Sequence, residues 1–452
     1  MQETLYFIIT VGILVFVHEL GHFLAAKATK MRTDAFAIGF GYRLFGWNKI
    51  SGFSFGNLPK DFDTQGYTDY RLNLLPLGGY VKIAGMVDES NDTTFANNEP
   101  QPWEFRAKPV LSKIFVITAG VLMNLLLTVL VFWGINYFNG KPVTYTTKIG
   151  IVETSSLADS AGFKSGDVVS KVNGKSVDTW EGFREELIIN SMGSDPVVTL
   201  NRDDEELTFV VDRKFIPKDE TTQPFLLPSG MRPLIGDIAP GLPAEAAGFK
   251  PNDIILNIDG TEIFSAPQTT SIISSSPGKN LNITVLRDKD TVNLAVVPGT
   301  DGKIGIVLAA YHFEGKQGTI SYGFFGSFSQ SFSDVGKFTV LTFTMLKRVI
   351  TGQMEFGKAF GGPVKIAQYA ARSADSGMLT FLHFLAMLSL SLAILNILPF
   401  PVLDGGHLVI IIIEGFMKRE ISIKVKSIIM NAGLYLLLAL MAFVIYNDIF
   451  GR

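Results

Sequence analysis

His18, Glu19 and His22 form the five-residue pattern H-E-x-x-H near the start of the chain. On a helix, positions i and i+4 lie on one face, so both imidazoles can reach one metal ion while the Glu flanks it. Zinc held in this way takes a third protein ligand and leaves its fourth position to water. The motif therefore predicts a zinc site with one open position.

Asp404 is the best candidate for the third ligand. It follows Pro399 and Pro401, which break a helix close to a membrane boundary, and two glycines come directly after it. Irregular backbone at that depth is tolerated only where it lines a buried or wet cavity, and glycine lets the backbone approach closely. The alternatives are an Asp that only marks a helix boundary, and His407, which lies at a similar depth.

Long apolar segments contain both parts of this predicted site. The runs 4–26, 114–134, 376–403 and 427–447 carry one charged side chain between them, that of Glu19. Each run is long enough to cross a hydrocarbon core of roughly 30 Å as a helix. A charged group inside a span costs about 2.5–3.5 kcal/mol on insertion scales, which indicates a functional role for Glu19.

Composition supports a protein that is partly membrane and partly extramembrane. Hydrophobic residues make up 47% of the chain and charged residues 18%, below the roughly 25% of soluble proteins. A net charge of −3 argues against a nucleic-acid-binding protein. The absence of cysteine excludes a disulfide scaffold, a Cys-ligated zinc module and a cysteine nucleophile.

The distribution of Lys and Arg predicts the orientation of the spans. Basic residues cluster directly after the first run, directly before the second, and between the third and fourth. The positive-inside rule then places 27–113 and 404–426 in the cytoplasm. Both termini and the large 135–375 region are expected on the outer side, with the active site near the cytoplasmic side.

The region between the second and third runs contains a repeat. Ala161–Lys164 (AGFK) recurs as Ala247–Lys250, 86 residues later, and an Asp followed by two apolar residues recurs at the same offset. This pattern, with Asn-Gly and Asp-Gly turns, resembles the PDZ family, whose members take peptides by strand addition. Whether the two copies bind peptides or act as spacers is open at this point.

Residues 327–352 form an amphipathic segment in which basic residues flank apolar ones. The pattern predicts a helix that lies on the outer membrane face. A helix packed on the second PDZ-like copy is the alternative.

HELGH in the first run and the pattern N-x-x-P-x-P-x-L-D-G-G from Asn396 to Gly406 resemble the site-2 protease family of intramembrane zinc metalloproteases. Four spans with two PDZ-like copies between the second and third resemble its Gram-negative branch, which acts in the sigma-E envelope stress response. Further matches are Phe36–Gly41, Pro76–Val81, Asn124 and Gly361–Ala367. The resemblance covers nearly the whole chain.

The resemblance implies a zinc metalloendopeptidase with Zn²⁺ held by His18, His22 and Asp404 and with Glu19 as the catalytic acid and base. It also implies a group of residues that position the substrate, namely Asn396, Pro399, Pro401, Gly78, Gly79 and Tyr80. Substrates would be single-span proteins in the lipid bilayer of the bacterial inner membrane. An anti-sigma factor trimmed by a prior protease and remnant signal peptides are the expected examples, and no nucleic acid is involved.

The expected fold is a polytopic α-helical membrane protein with four transmembrane helices, two tandem PDZ-like α+β domains and a membrane-associated β-hairpin or sheet. Residues 67–83 are expected to form a hairpin whose open edge pairs with unwound substrate, or else a sheet packed on the protein. The expected segments are helix 1 at 1–30, a cytoplasmic-side β region at 31–111, helix 2 at 112–135, PDZ-like copies at 143–228 and 229–312, the amphipathic segment with its connection at 325–376, helix 3 at 377–403 and helix 4 at 425–447.

Two other functions fit part of the pattern. A proton- or ion-coupled transporter would explain intramembrane His, Glu and Asp, but not the H-E-x-x-H spacing, and no repeat relates the spans. A membrane scaffold that displays two peptide-binding domains would need no metal.

Overall fold

The computed structural model describes residues 2–59, 62–86, 99–191, 193–217, 225–352 and 361–450. The chain forms two compact units. The helical unit consists of Met1–Gly140 and Ser321–Arg452, and the insert, Lys141–Ile320, separates these two parts in the sequence. The expected segments 31–111, 143–228 and 325–376 each include residues outside the described ranges.

The first part of the helical unit consists of two long helices with a sheet between them in the sequence. Helices α1 (Gln2–Ala28) and α2 (Val110–Phe138) pack on each other. Both are apolar around most of their circumference, which is typical of a membrane span. The sheet contains β1 (Thr33–Asn48), β2 (Gly52–Phe55) and β3 (Asp69–Ile83), and a 3₁₀ turn at Phe105–Ala107 precedes α2.

Strand β1 lies between two arms of β3. Ala35 pairs with both Asp69 and Lys82, and Ile38 pairs with both Leu72 and Gly79. A residue with two partners has one on each side, so the arm 79–83 and the arm 69–73 flank the first half of β1. The predicted β region therefore exists, but 67–83 is not a simple hairpin, since β1 separates its two arms.

Two glycines allow β1 to bend after its first half. Gly39 and Gly41 have φ values of +85° and +83°, a region that side chains other than glycine rarely adopt. A Cβ at Gly39 would lie 2.8 Å from the carbonyl oxygen of Leu75. After the bend, 43–47 pairs with the outer side of the arm 69–73 and with β2. The arm 79–83 is left as one edge of the described sheet.

The insert begins with β4 (Lys141–Thr144) and contains two small lobes, each with its own apolar core. The first lobe consists of α3 (Leu157–Ser160), β5 (Val168–Val172), β6 (Lys175–Ser176), α4 (Trp180–Arg184), a π-helical turn (Glu185–Asn190), β7 (Val197–Arg202), β8 (Glu205–Val210) and a 3₁₀ turn (Arg213–Phe215).

The second lobe has the same order of elements, with an added strand at each end. It consists of β9 (Met231–Ile238), α5 (Pro243–Ala246), β10 (Ile254–Ile258), β11 (Thr261–Glu262), α6 (Ala266–Ser274), β12 (Leu281–Arg287), β13 (Asp290–Val296) and β14 (Ile306–Phe313). The sheet orders are β6-β5-β7-β8 and β13-β12-β10-β9-β14, with β11 on β10. The sequence repeat thus corresponds to a structural repeat.

Each lobe contains the same ion pair, in which the carboxylate is buried. The Arg202 guanidinium donates to both carboxylate oxygens of Asp167, each at 2.8 Å, and to the carbonyl oxygen of Gly162. Arg287 and Asp253 repeat the arrangement at 2.7 Å. The two carboxylates are 1% and 0% exposed. Bonding to its carboxylate partner raises the pKa of each guanidinium, so both guanidinium groups remain charged at any ordinary pH.

The two ends of the insert meet in a short ladder. Strand β15 (Gln317–Ile320) pairs antiparallel with β4, and Gln317 is the register partner of Thr144. The chain therefore enters and leaves the insert at adjacent points.

The second part of the helical unit is all helical in its described residues. It contains α7 (Phe324–Ile350), α8 (Pro363–Asp375), α9 (Met378–Ile397), α10 (Asp404–Met417) and α11 (Ile423–Phe450). Four helices are long and apolar enough to cross a membrane, namely Gln2–Ala28, Val110–Phe138, Met378–Ile397 and Ile423–Tyr446. These correspond to the four predicted runs.

The third span is shorter than expected. Helix α9 ends at Ile397 rather than at 403. Leu398 adopts an extended conformation (φ −64°, ψ 144°) because it precedes Pro399, whose ring disfavours a helical residue before it. Asp404 is consequently the first residue of a new helix and not the end of the third span.

Helix α7 packs on α2. The rings of Phe132 and Phe338 stack with centroids 5.7 Å apart, and the amide of Asn136 donates to Asp334 at 2.9 Å. Both polar side chains are buried. The amphipathic segment is thus helical as predicted. Its packing on α2 was not predicted, since the expected locations were the membrane face and the second PDZ-like copy.

Candidate functional site

Three side chains from two helices converge in the helical unit. His18 and His22 lie one turn apart on α1, and Asp404 begins α10. The two Nε2 atoms are 3.2 Å apart, and Oδ2 of Asp404 lies 3.3 Å from Nε2 of His18 and 3.4 Å from that of His22. The three side chains are only 11–15% exposed. The structure therefore brings together the three residues proposed from sequence as ligands.

This triangle has the size of one face of a zinc tetrahedron. Ligand bonds of about 2.0–2.1 Å at tetrahedral angles place neighbouring ligand atoms about 3.3–3.4 Å apart. The observed separations are 3.2, 3.3 and 3.4 Å. Oδ2 of Asp404 is also buried without a hydrogen-bond partner among the described residues. The donor set fits zinc, with one coordination position left open.

Helix α2 packs on the two histidines. Nδ1 of His22 bonds to the carbonyl oxygen of Val116 at 2.8 Å, and Nδ1 of His18 lies 3.3 Å from the amide of Asn124. Gly120 lies between them, and a Cβ there would lie 2.7 Å from Cε1 of His18. These three positions, four residues apart, share one face of α2. That face therefore packs directly on the imidazole rings.

The loop between α9 and α10 aims Asp404. Gly405 and Gly406 have no room for a Cβ, which would contact the carbonyls of Ile397 and Leu398 at the first and of Phe400 at the second. The first turn of α10 therefore packs directly on the end of α9. This close approach is the use predicted for the two glycines.

Glu19 lies beside the edge arm of β3. Its side chain is buried, and the backbone of Val81 is within hydrogen-bonding reach of its carboxyl group. A Cβ at Gly79 would lie 3.0 Å from Cγ of Glu19 and 2.7 Å from the carbonyl oxygen of Ala37. The arm 79–83 thus packs on α1 at the position of Glu19.

The other predicted site residues lie in two places. Gly78 packs on the ring of Phe40, which also stacks on the ring of Tyr80 with centroids 6.1 Å apart. Asn396 is in the last turn of α9, and Pro399 and Pro401 are in the loop before Asp404. The predicted substrate-positioning residues thus lie in two segments near the triangle, the edge arm and the α9–α10 loop.

The remaining histidines have other surroundings. His407 lines a cavity with Glu414 and Lys426, and the ring of His383 contacts that of Phe132 at 5.3 Å. His312 lies in strand β14 of the insert. In the part of the chain that the structure describes, the His18, His22 and Asp404 group is the one able to hold a metal ion.

Sequence reasoning missed the contributions of Val116 and Gly120. A carbonyl oxygen has no side-chain signature, and one glycine in an apolar run does not stand out. Asn124 was noted as a family match, but its place beside His18 was not predicted. The available signal was an Asn four residues after a glycine, Gly120 and Asn124, within an uncharged run.

Known proteins resemble this chain over almost its whole length. The family model described as peptidase family M50 matches residues 6–440. The chain belongs to peptidase family M50. It is 30% identical to Protease RseP of Yersinia pestis and 31% identical to the Regulator of sigma E protease of Haemophilus influenzae, in each case over 98% of this chain and 97% of the relative. A relative from Neisseria meningitidis, named with the words zinc metalloprotease, is 30% identical over 99% of both chains.

Family membership confirms three predictions from the sequence. The protein is an enzyme, a metalloprotease of the site-2 protease family, and its cofactor is Zn²⁺. Its four apolar helices make it a multi-pass membrane protein.

Proposed function

We propose that the protein is an intramembrane endopeptidase that cleaves the membrane-spanning segments of single-span proteins. The observation that carries the proposal is the position of the ligand triangle. His18 and His22 project from α1, a helix able to cross a membrane, and Asp404 follows α9, which is another. A peptidase site between such helices acts on peptide bonds at membrane depth.

In this proposal His18, His22 and Asp404 hold the zinc ion, and Glu19 is the catalytic acid and base. When bound there, zinc lowers the pKa of water to about 7 and polarises the scissile carbonyl. The Glu19 carboxylate takes the proton of the attacking water and returns it to the leaving amide nitrogen. Burial of Glu19 against the edge arm holds this carboxylate in one place.

The edge arm 79–83 is proposed to bind the substrate. A helical substrate keeps its carbonyls in its own hydrogen bonds and must be unwound before hydrolysis. An extended peptide can be held by adding it as a strand to an open sheet edge. The arm is an edge of the described sheet, and it lies beside Glu19. Gly78, Gly79 and Tyr80 would align the unwound segment from this side.

The α9–α10 loop is proposed to bind the same segment from the other side. Helix ends carry backbone groups without intrahelical partners, and two helix ends meet in this loop. Asn396 adds a side-chain amide at the end of α9. Pro399 and Pro401 keep the loop from becoming helical.

The proposed location is the bacterial inner membrane. The positive-inside rule places both termini and the insert in the periplasm, and residues 27–113 and 404–426 in the cytoplasm. The active site then lies near the cytoplasmic side, where water reaches it through the polar ends of the spans.

We propose that the two lobes of the insert are PDZ-like domains that act as a size filter. Apolar spans resemble one another, and one methylene distinguishes substrates by only about 1–3 kcal/mol. Selection among single-span proteins must therefore come from outside the membrane. Two folded lobes on the same side as a substrate's ectodomain would exclude large ectodomains and admit trimmed ones.

The proposed substrates are single-span proteins already trimmed by another protease. Four relatives carry the name Regulator of sigma E protease, which favours an anti-sigma factor as one of these substrates. Remnant signal peptides are the other proposed class, since they are short spans without a large ectodomain.

The test is cleavage of a purified single-span peptide by the full-length protein in detergent or vesicles, with Glu19→Gln as the comparison. We expect wild type to cut within the span and Glu19→Gln to keep its zinc but lose cleavage. Cleavage by Glu19→Gln at the wild-type rate would contradict the role of Glu19. A zinc-loaded wild type that never cuts membrane-spanning peptides would contradict the proposed function.

A further inference from the structure

Asn124 is a buried polar residue in the middle of a membrane span. Its side chain is 1% exposed, and Oδ1 has no hydrogen-bond partner among the described residues. Its amide nitrogen Nδ2 lies 3.3 Å from Nδ1 of His18. A buried amide with one unpaired end in an apolar helix is costly, so its position requires an explanation.

The tautomer that a zinc ligand requires at His18 accounts for a polar group at this place. Nε2 of His18 faces the ligand triangle, and a metal ligand must offer its lone pair there. The neutral imidazole then carries its proton on Nδ1. That N–H points at Asn124 and needs an acceptor. The amide nitrogen accepts no hydrogen bond, whereas the amide oxygen does.

A half-turn of the Asn124 amide supplies the acceptor that the His18 N–H needs. The half-turn exchanges Oδ1 and Nδ2. X-ray data at ordinary resolution do not distinguish these two atoms, so the hydrogen-bond network assigns them. Oδ1 then accepts from Nδ1–H of His18, and the amide nitrogen takes the former position of Oδ1. His22 already has the equivalent bond, since its Nδ1 faces the carbonyl oxygen of Val116 at 2.8 Å.

We propose that Asn124 is a positioning residue that accepts the Nδ1 proton of His18 and so holds Nε2 ready to bind zinc. Helix α2 thus supplies the outer hydrogen bond of both histidines, from a carbonyl for His22 and from a side chain for His18. The inference rests on the proposed assignment of His18 as a zinc ligand. Only the His18 bond can be removed by substitution.

The test is the zinc dissociation constant of the full-length protein in detergent, measured by competition with a chromophoric chelator. Asn124→Leu keeps the approximate size but has no acceptor, and we expect about 10–100-fold weaker zinc binding, the usual effect of losing such an outer partner. Asn124→Asp keeps an acceptor and has no donor, so we expect binding at least as tight as wild type.

Thr128→Val is the matched control. Thr128 is buried one turn further along α2 and bonds to backbone carbonyls, those of Asn124 and Ala386. Its loss should perturb packing in the same region without changing zinc affinity. If Asn124→Leu weakened zinc binding no more than Thr128→Val, the effect would be general packing and the inference would be wrong.

Two further outcomes are informative. If Asn124→Asp bound zinc 10-fold or more weakly than wild type, Asn124 would act as a donor and the proposal would be overturned. This variant alone decides the matter if Asn124→Leu fails to fold. His18→Ala tests the ligand assignment separately from the role of Asn124. Wild-type zinc affinity in that variant would contradict the ligand assignment itself.

Discussion

Oδ2 of Asp404 lies 3.3 Å from Nε2 of His18, although the first residue begins α10 and the second lies in α1. The insert and two spans separate them in the sequence. The contact exists because Gly405 and Gly406 let α10 pack closely on the end of α9. Gly120 likewise lets α2 pack closely on the histidines. Helix packing across the whole helical unit therefore decides whether a complete ligand set forms.

Loss of any proposed ligand should remove the zinc. Purified wild type should contain about one zinc ion per chain. His18→Ala, His22→Ala and Asp404→Ala should each reduce the metal content well below that value, because two remaining ligands hold zinc weakly. Elemental analysis of the purified protein measures this.

His407→Ala is the control for the ligand experiment. His407 lies three residues after Asp404 and lines a separate cavity, so its loss should leave zinc content unchanged. Full occupancy in Asp404→Ala together with loss of zinc in His407→Ala would show that the third ligand is His407.

Gly120→Ala should disrupt the metal site through its added methyl group. The Cβ would lie 2.7 Å from Cε1 of His18, so α2 must move away or the rings must turn. We expect weaker zinc binding and loss of proteolysis. Gly134→Ala on the same helix is the control, because its Cβ meets nothing within 4 Å. Equal zinc affinity in the two variants would show that α2 does not pack rigidly on the histidines.

Each buried Arg–Asp pair should stabilise its own lobe of the insert. Arg202→Met leaves the Asp167 carboxylate buried and unpaired, which costs roughly 3 kcal/mol. Hydrogen exchange followed by mass spectrometry should show faster exchange in Val168–Val172 and little change in Ile254–Ile258. Arg287→Met should give the reverse, so each variant is the control for the other.

An exposed ion pair provides the baseline for that comparison. Lys214 and Asp212 pair at the surface with side chains 66% and 46% exposed. Lys214→Met should leave exchange in both lobes unchanged, since exposed pairs contribute little. Faster exchange in both lobes after Arg202→Met alone would mean that the lobes unfold together.

The orientation of the spans can be tested with single cysteines because the chain has none of its own. Lys49→Cys, in the β1–β2 turn, should react only with reagents that reach the cytoplasm. Lys289→Cys, in the β12–β13 turn, should react with a membrane-impermeant maleimide added to the periplasm. The opposite result for both would reverse the orientation and place the active site near the other face.

The size filter predicts a specific result for a chain without the lobes. Because Thr144 and Gln317 are register partners, residues 145–316 can be replaced by an Asn-Gly turn, the preferred two-residue hairpin connection. Substrates should share one span and differ in ectodomain size. Wild type should cut only short forms, and the deletion should cut long forms as well.

The same substrates distinguish the filter from peptide capture. If the deletion variant lost cleavage of short forms, the lobes would be needed for binding. Cleavage that followed the terminal residue at constant ectodomain size would also favour groove recognition over exclusion by bulk.

Local patterns predicted much of this site. The i, i+4 spacing of His18 and His22 needs only helical geometry, and four uncharged runs need only the thickness of a membrane. Asp404 could be found because prolines and glycines around a carboxylate indicate a specific backbone path. The end of α9 at Ile397 was also predictable, since Leu398 precedes a proline.

Contacts between distant segments could not be predicted in this way. Nothing in the composition of β3 shows that β1 lies between its arms, because register depends on long-range pairing. The amphipathic pattern of α7 showed that one face is apolar but not that α2 covers it. Arg202 and Arg287 lie 35 and 34 residues after their carboxylates, so only the folded lobes reveal the pairs.

The order of the three proposed ligands along the chain has a consequence for biosynthesis. The ribosome makes His18 and His22 first, whereas Asp404 emerges only after the insert and α9 have been synthesised. A nascent or truncated chain therefore carries two of the proposed ligands and the Glu but not the complete proposed metal site. Proteolytic activity is withheld until translation and membrane insertion have passed α10, by which time both lobes of the insert have been translated.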